Sequence, residues 1–183
     1  MRIIGGEFKG HRLEAPSGRD VRPTPARVRE ALFSMLGGLL TGHRFVDLYA
    51  GAGTVGLEAL SRGAEPVFFV ERDKRALGFL NRNLRACRAG ERGRVLEASA
   101  EDIDSAIYQG TTILFLDPPY GVVPRLSKLR QHLDEVNHPP VIIYQHGLSA
   151  VAVPWLPDRM GLLDERRYGK TMLSVYSQRE EDT

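Results

Sequence analysis

The chain of 183 residues contains a single cysteine, Cys87, and a single tryptophan. One thiol cannot build a disulfide framework and suits a reducing compartment. No stretch approaches the roughly 18 apolar residues that a membrane span requires, so no bilayer crossing is expected. The opening Met1-Arg2-Ile3-Ile4-Gly5-Gly6 has neither the apolar run nor the small-residue cleavage site of a secretory signal, and the expected location is the cytoplasm. Internal repeats and low-complexity tracts are missing too. Excess charge of one sign is slight, with a formal net charge of +2.

That charge is unevenly distributed. Residues 1–44 hold eight Lys/Arg against four Asp/Glu, while the remainder of the chain holds 17 against 19. A basic amino-terminal piece on a slightly acidic body suits a phosphate-binding attachment to an enzyme core, and equally suits a soluble surface. With 42% apolar residues, the chain can bury one core of ordinary size but not two full domains. The expected organisation is a basic hairpin or arm over residues 1–22 and one catalytic domain over residues 23–183.

The arm is rich in glycine (Gly5, Gly6, Gly10, Gly18), with short apolar pieces at Ile3-Ile4 and at Leu13 with Ala15. Thr24 is expected to cap a helix that starts at Pro25 and turns Val28, Ala31, Leu32, Met35, Leu36 and Leu39 to one side. Beyond it, buried strands alternate with helices: a strand 45–49, a glycine loop and a helix through Leu60, a strand 66–71, and a helix 74–87. In that helix Leu77, Leu80, Leu84 and Cys87 share a face, which makes Cys87 a core residue. Strands 94–98 and 111–117, a helix 126–136, a strand 141–144 and two late strands near 159–166 and 171–176 complete the pattern. The class is α/β, with right-handed crossovers and a mostly parallel sheet covered on both faces. Ligands bind such sheets outside the carboxyl ends of the strands.

The first strand runs into Asp47-Leu48-Tyr49-Ala50-Gly51-Ala52-Gly53-Thr54-Val55-Gly56, a G-x-G-x-x-G loop before a helix. Glycines let a backbone approach a ligand closely, and the helix amino terminus presents free amides. Dinucleotide enzymes share that pattern, and Asp47 separates the candidates. An acid here would repel a pyrophosphate, but would attract the ammonium and sulfonium charges of S-adenosylmethionine. Glu71, closing the second strand, can accept hydrogen bonds from ribose hydroxyls, a role compatible with either ligand. Ser99 and Ala100, with Glu101 and Asp102, lie by topology where adenine would rest; Asp102 could equally cap a helix.

The fourth strand ends in Asp117-Pro118-Pro119-Tyr120. Consecutive prolines fix the backbone and remove two amide donors. An exocyclic amine on a nucleic-acid base needs acceptors that hold its hydrogens, because its lone pair is delocalised into the ring. The side chain of Asp117 and the carbonyl of Pro118 can serve as those acceptors, and Tyr120 offers a face for base stacking. Transfer onto the amine then depends mainly on positioning, without a strong base. A Pro-Pro turn can also merely end a strand; following the Asp47 loop, it points to an amino methyltransferase.

In these motifs the chain resembles the class I methyltransferases, and specifically the RsmD-like family that methylates the N2 amine of a guanine in small-subunit (16S) ribosomal RNA. The resemblance rests on Arg2-Ile3-Ile4-Gly5-Gly6 with Lys9-Gly10, Arg22-Pro23-Thr24 with Arg27-Val28-Arg29-Glu30-Ala31-Leu32-Phe33, the Asp47 loop continuing through Gly56-Leu57-Glu58-Ala59, and Asp117-Pro118-Pro119-Tyr120. It implies a Rossmann-like, seven-stranded sheet with an antiparallel last strand and a late hairpin around Tyr168-Gly169-Lys170-Thr171. The family often has an acid where this chain has Lys170. By the resemblance, S-adenosylmethionine would meet Asp47, Tyr49, Gly51, Gly53, Gly56, Glu71, Ser99 and Ala100; Asp117, Pro118, Pro119 and Tyr120 would carry the chemistry. Arg2, Lys9, Arg12, Arg22 and Arg27 would grip RNA phosphates, making binding salt-dependent. The implied partner is ribosomal RNA, free or in an assembling small subunit, with no metal or membrane involved.

An adenine-N6 methyltransferase acting on DNA or RNA shares the tetrapeptide; the DNA enzymes usually carry an added target-recognition segment, for which 183 residues leave little room. An NAD-dependent oxidoreductase would need a proton donor at a strand end, yet His11, His43, His132, His138 and His146 are scattered. A non-catalytic RNA-binding module is the remaining alternative.

Overall fold

The computed structural model describes residues 1–16, 24–119, 124–149 and 153–179. Seven strands form one sheet: β1 (Phe45–Asp47), β2 (Val67–Glu71), β3 (Gly93–Glu97), β4 (Ile113–Leu116), β5 (Val141–His146), β6 (Met160–Tyr168) and β7 (Thr171–Gln178). Their order is β3-β2-β1-β4-β5-β7-β6. Neighbours among the first five pair in parallel, whereas β7 runs antiparallel to both β5 and β6. The chain winds outward from β1 to β3 on one side, then returns to β4 on the other. This reversal between β1 and β4 opens a crevice at their carboxyl ends.

Successive strand residues face opposite sides, so each strand feeds two cores. Phe45, Phe69, Ile113, Phe115 and Ile143 pack under α1 (Ala26–Leu36), α2 (Thr54–Ser61) and α3 (Lys74–Ala86), with buried Cys87 among them. Val46, Val70, Leu114, Leu116 and Tyr144 pack under α4 (Ser127–Glu135) and the 3-10 turn Ser105–Tyr108. That turn is all the helix between β3 and β4, and it is capped by Asp104, whose carboxylate accepts the Ala106 amide at 2.8 Å; the cap is not Asp102.

The first helix departs from its sequence pattern. Pro25 is the residue ahead of α1, and no side chain caps the helix, so Thr24 is not its cap. Gly37, with φ of 48°, ends α1, and a 3-10 turn over Gly37–Leu40 then rotates Leu40 inward and leaves Leu39 half exposed. Arg29 and Phe33 take the buried positions that the apolar periodicity assigned to Ala31 and Met35.

The amino-terminal residues form an irregular hairpin, with Arg2 bridging Arg12 and the Leu13 amide donating to the Met1 carbonyl at 2.9 Å. Ile3, Phe8 and Leu13 are buried in the same cluster as α1 and α2. Glu58 of α2 anchors the hairpin. Its carboxylate accepts the Ile4 and Gly5 amides, each at 2.8 Å, together with Arg29 at 3.2 Å and Arg62 at 2.9 Å. Arg29 is therefore an internal charge rather than part of a basic surface. Gly6 packs so tightly that a Cβ would stand 1.7 Å from the Ser61 carbonyl oxygen.

Candidate active site

The carboxyl ends of β1, β2 and β4 surround a cavity of about 790 Å³, within the usual range for a small-molecule site. Asp47, Tyr49, Gly51, Glu71, Ala100, Asp117, Pro118 and Pro119 all line it. Gly53, Gly56 and Ser99 do not. Gly53 has φ of 80° and begins α2, and a Cβ on Gly56 would strike the Phe69 ring at 2.3 Å. These two glycines let the loop turn and let α2 lie close on β2, which holds the cavity wall in place. Ser99 instead hydrogen-bonds Glu101.

Gly53, the residue ahead of α2, has no side chain to cap it, and Asp47 takes only the Gly56 amide of the first turn, so the Thr54 and Val55 amides remain available to a carboxylate or another anion. Beneath them lies Asp47. One of its oxygens accepts the Gly56 amide at 3.1 Å, and the other is buried with no hydrogen-bond partner. Burial, reinforced by the nearby charges of Asp117 and Glu71, pushes this carboxyl up to about 8 against the opposing Gly56 amide. An unpaired buried carboxylate oxygen at a cavity wall is a position suited to a cation.

Glu71 accepts the Gly51 amide at 2.8 Å and the Arg72 and Asp73 amides at 2.8 Å, which fixes the end of β2 against the glycine loop. Tyr49 donates to Glu101 at 2.9 Å across the cavity floor. Burial acts to raise Glu101, but the Ser99 and Tyr49 hydroxyls outweigh it and hold the acid below its ordinary value.

Asp117 keeps one edge open to the cavity, yet desolvation still pushes it up to about 7. Gln145 on β5 donates to its Oδ2 at 2.7 Å, and Thr24 donates to the same oxygen at 3.3 Å. Neither partner carries a local signal: Thr24 reads as a helix cap, and Gln145 lies just past the strand expected over 141–144, which the structure extends to His146. Asn83 of α3 is another residue hidden from pattern reading. Its side-chain amide donates to the carbonyls of Glu14 and Ala52, and its oxygen accepts the Glu14 amide at 2.8 Å, tying the hairpin's exit to the glycine loop. Ala15 and Pro16 consequently line the cavity.

The model of the family described as Conserved hypothetical protein 95 matches residues 1–177. Ribosomal RNA small subunit methyltransferase D of Escherichia coli (strain K12) is 32% identical over 186 residues, covering 98% of this chain and 90% of that protein. The chain belongs to this RsmD-like methyltransferase family. Another family relative, YlbH of Bacillus subtilis (strain 168), whose name carries a provisional rRNA methyltransferase assignment, is 34% identical over 185 residues, 98% of this chain and all of that protein. Among solved structures, the yhhF protein of Escherichia coli superposes with a TM-score of 0.76 at 28% identity, covering 97% of each chain. The RsmD-like family fold is thus the Rossmann-like one of class I methyltransferases, and the antiparallel β7 matches the strand that the sequence motifs implied.

Among the residues expected to meet RNA, Arg2, Lys9, Arg12 and Arg27 are all exposed. Arg2 donates to the Gly10 carbonyl at 2.8 Å and so braces the hairpin as well. Arg22 and Tyr120 lie outside the described residues. The sequence places Lys170 in the exposed turn between β6 and β7. No helix among the described residues is long and apolar enough to cross a membrane, and no group of three or more His, Cys, Asp or Glu there could hold a metal ion.

Proposed function

We propose that the protein transfers a methyl group from S-adenosylmethionine to the exocyclic N2 amine of a guanine in small-subunit (16S) ribosomal RNA, free or within an assembling small subunit, in the cytoplasm. The observation that carries this reading is that Asp47, Gly51, Glu71 and Asp117 line one shared cavity. Family membership supplies the reaction class.

The residues present fit the methyl donor. The unpartnered Asp47 oxygen offers a counter-charge for an ammonium group, the Thr54 and Val55 amides at the start of α2 suit a carboxylate, and Glu71 offers acceptors for ribose hydroxyls. When bound, the donor supplies an electrophilic methyl on a sulfonium. Asp117 and the Pro118 carbonyl hold the amine hydrogens, Tyr120 stacks on the base, and Asp117 or water takes the proton released after transfer. Ionised Asp117 is the accepting form, so the rate rises as pH passes about 7.

Exposed Arg2, Lys9, Arg12 and Arg27, with Arg22, give the hairpin end of the molecule its phosphate contacts. An oxidoreductase reading fits less well, since a dinucleotide pyrophosphate would meet Asp47 under the loop. The adenine-N6 alternative uses the same tetrapeptide, and the product distinguishes it. Ribosomal RNA and small subunits from cells lacking the protein are incubated with labelled donor, and the mark is mapped. N2-methylguanine at one position of the small-subunit RNA is expected; N6-methyladenine, or no label in any ribosomal RNA, overturns the reading.

A further inference from the structure

Gln145 is a buried polar residue on β5, beside the strand end that holds Asp117. Its side-chain nitrogen lies 2.7 Å from Asp117 Oδ2, but its side-chain oxygen is buried with no hydrogen-bond partner. A buried acceptor left unpaired costs stability, so a leucine or methionine would serve the fold better. Reversing the amide would bring two oxygens together, since an ionised carboxylate can only accept; the Nε2 edge must therefore face Asp117. Thr24, also buried, reaches the same oxygen at 3.3 Å and lies 3.4 Å from the Gln145 nitrogen. Both donors converge on Oδ2, and among the described residues no hydrogen bond reaches Oδ1.

We propose that Gln145 is the positioning residue for Asp117: with Thr24 it ties down Oδ2, fixes the rotation of the carboxylate and leaves Oδ1 as the edge offered to the substrate amine. This rests on the reading of Asp117 as the amine acceptor. One oxygen has two fixed donors, so any proton taken up by the carboxyl goes to Oδ1, the oxygen that must be bare for the amine to bind. The same hydrogen bonds favour the ionised carboxylate against the burial that disfavours it. Thr24 closes the Arg22-Pro23-Thr24 run, so the segment leading out of the basic hairpin also ends on the reacting carboxylate. Among the described residues, the titratable groups that act electrostatically on Asp117 are Asp47 from β1 and Tyr144 from β5.

The test uses the full chain carrying Gln145→Met, which keeps side-chain length and removes the donor, and Thr24→Val as a milder second variant. Two quantities are followed: the titration of the Asp117 carboxyl by carbon-13 NMR, assigned with Asp117→Asn, and kcat against pH on the RNA substrate with KM recorded separately. In Gln145→Met the carboxyl midpoint should rise by about one pH unit, and kcat at pH 7 should fall on the order of tenfold, recovering at higher pH with little change in KM for the methyl donor. Thr24→Val should move both in the same direction by less. An unmoved midpoint, or a loss of kcat that no pH restores, overturns the proposal. If Gln145→Met fails to fold, the Thr24→Val midpoint decides by the same criterion. Should the wild type fail to methylate any ribosomal RNA, the substrate reading falls, while the NMR titration still decides whether Gln145 governs Asp117.

Discussion

Two buried carboxylate sites on opposite ends of α2 are handled in opposite ways. Toward its carboxyl end, Glu58 is fully enclosed and has a complete set of partners: the Arg29 and Arg62 guanidinium groups and the amides of Ile4 and Gly5. Toward its amino end, Asp47 and Asp117 have no cationic partner among the described residues. They receive only neutral donors, one Asp47 oxygen receives nothing, and both carboxyls are pushed far up by burial. The charge on Glu58 is satisfied within the fold and fastens the hairpin to the sheet. Under the proposed function, the charge on the other two is left for a ligand to complete, and the fold tolerates a local instability where the chemistry would happen.

Substitutions should separate the two sites cleanly. The largest effect is expected from Asp117→Ala, which should lower methyl transfer on the order of a thousandfold while calorimetry shows donor binding intact. Substantial residual turnover would remove the amine-holding role. Next, Glu58→Ala should destabilise the protein by about 3–5 kcal/mol in urea unfolding, because it strands the buried Arg29 guanidinium, unpairs the partly exposed Arg62 and frees the hairpin. A loss within about 0.5 kcal/mol would make that site no different from a surface pair.

Asp47→Asn should do the reverse, weakening donor affinity on the order of tenfold without loss of stability. The pH dependence sharpens this point. Asp47 and Asp117 titrate near 8 and 7 in the folded chain against an ordinary value of 3.8, so the folded form holds extra protons between these values. Stability should therefore be greatest below about 4 as far as these groups decide it, and fall as pH climbs to about 8. Thermal unfolding between pH 5 and 8 should show a shallower fall in Asp47→Asn, and an unchanged slope would mean that Asp47 is ionised without its ligand. The smallest effect concerns the hairpin surface: Arg27→Ala should weaken RNA binding and reduce its salt slope by about one, leaving donor affinity alone.

Much of the architecture was legible because it is written in short periods. Short buried runs alternating with helical stretches placed β1 to β5 and the late hairpin to within a few residues, and the Asp47 loop and Asp117 tetrapeptide marked the strand ends that frame the cavity. Pattern reading failed where a residue serves a partner far along the chain. Thr24 has the local dress of a helix cap but donates to a carboxylate 93 residues away. Arg29 counted toward a basic surface and is instead enclosed against Glu58. For Gly53 and Gly56, expected at the methyl donor, the structure adds a packing role against Leu80 and Phe69 that the motif does not reveal.

By itself the sequence determined the strand and helix alternation, the glycine loop and the rigid proline turn, since each follows from neighbours a few positions apart. Only the tertiary structure decided which buried acids are neutralised and which are left waiting. That outcome depends on donors brought together across the sheet, Gln145 and Thr24 on one acid and Arg29 and Arg62 on another. Electrostatic energy in a desolvated interior depends on distance through space, which separation along a chain does not reveal.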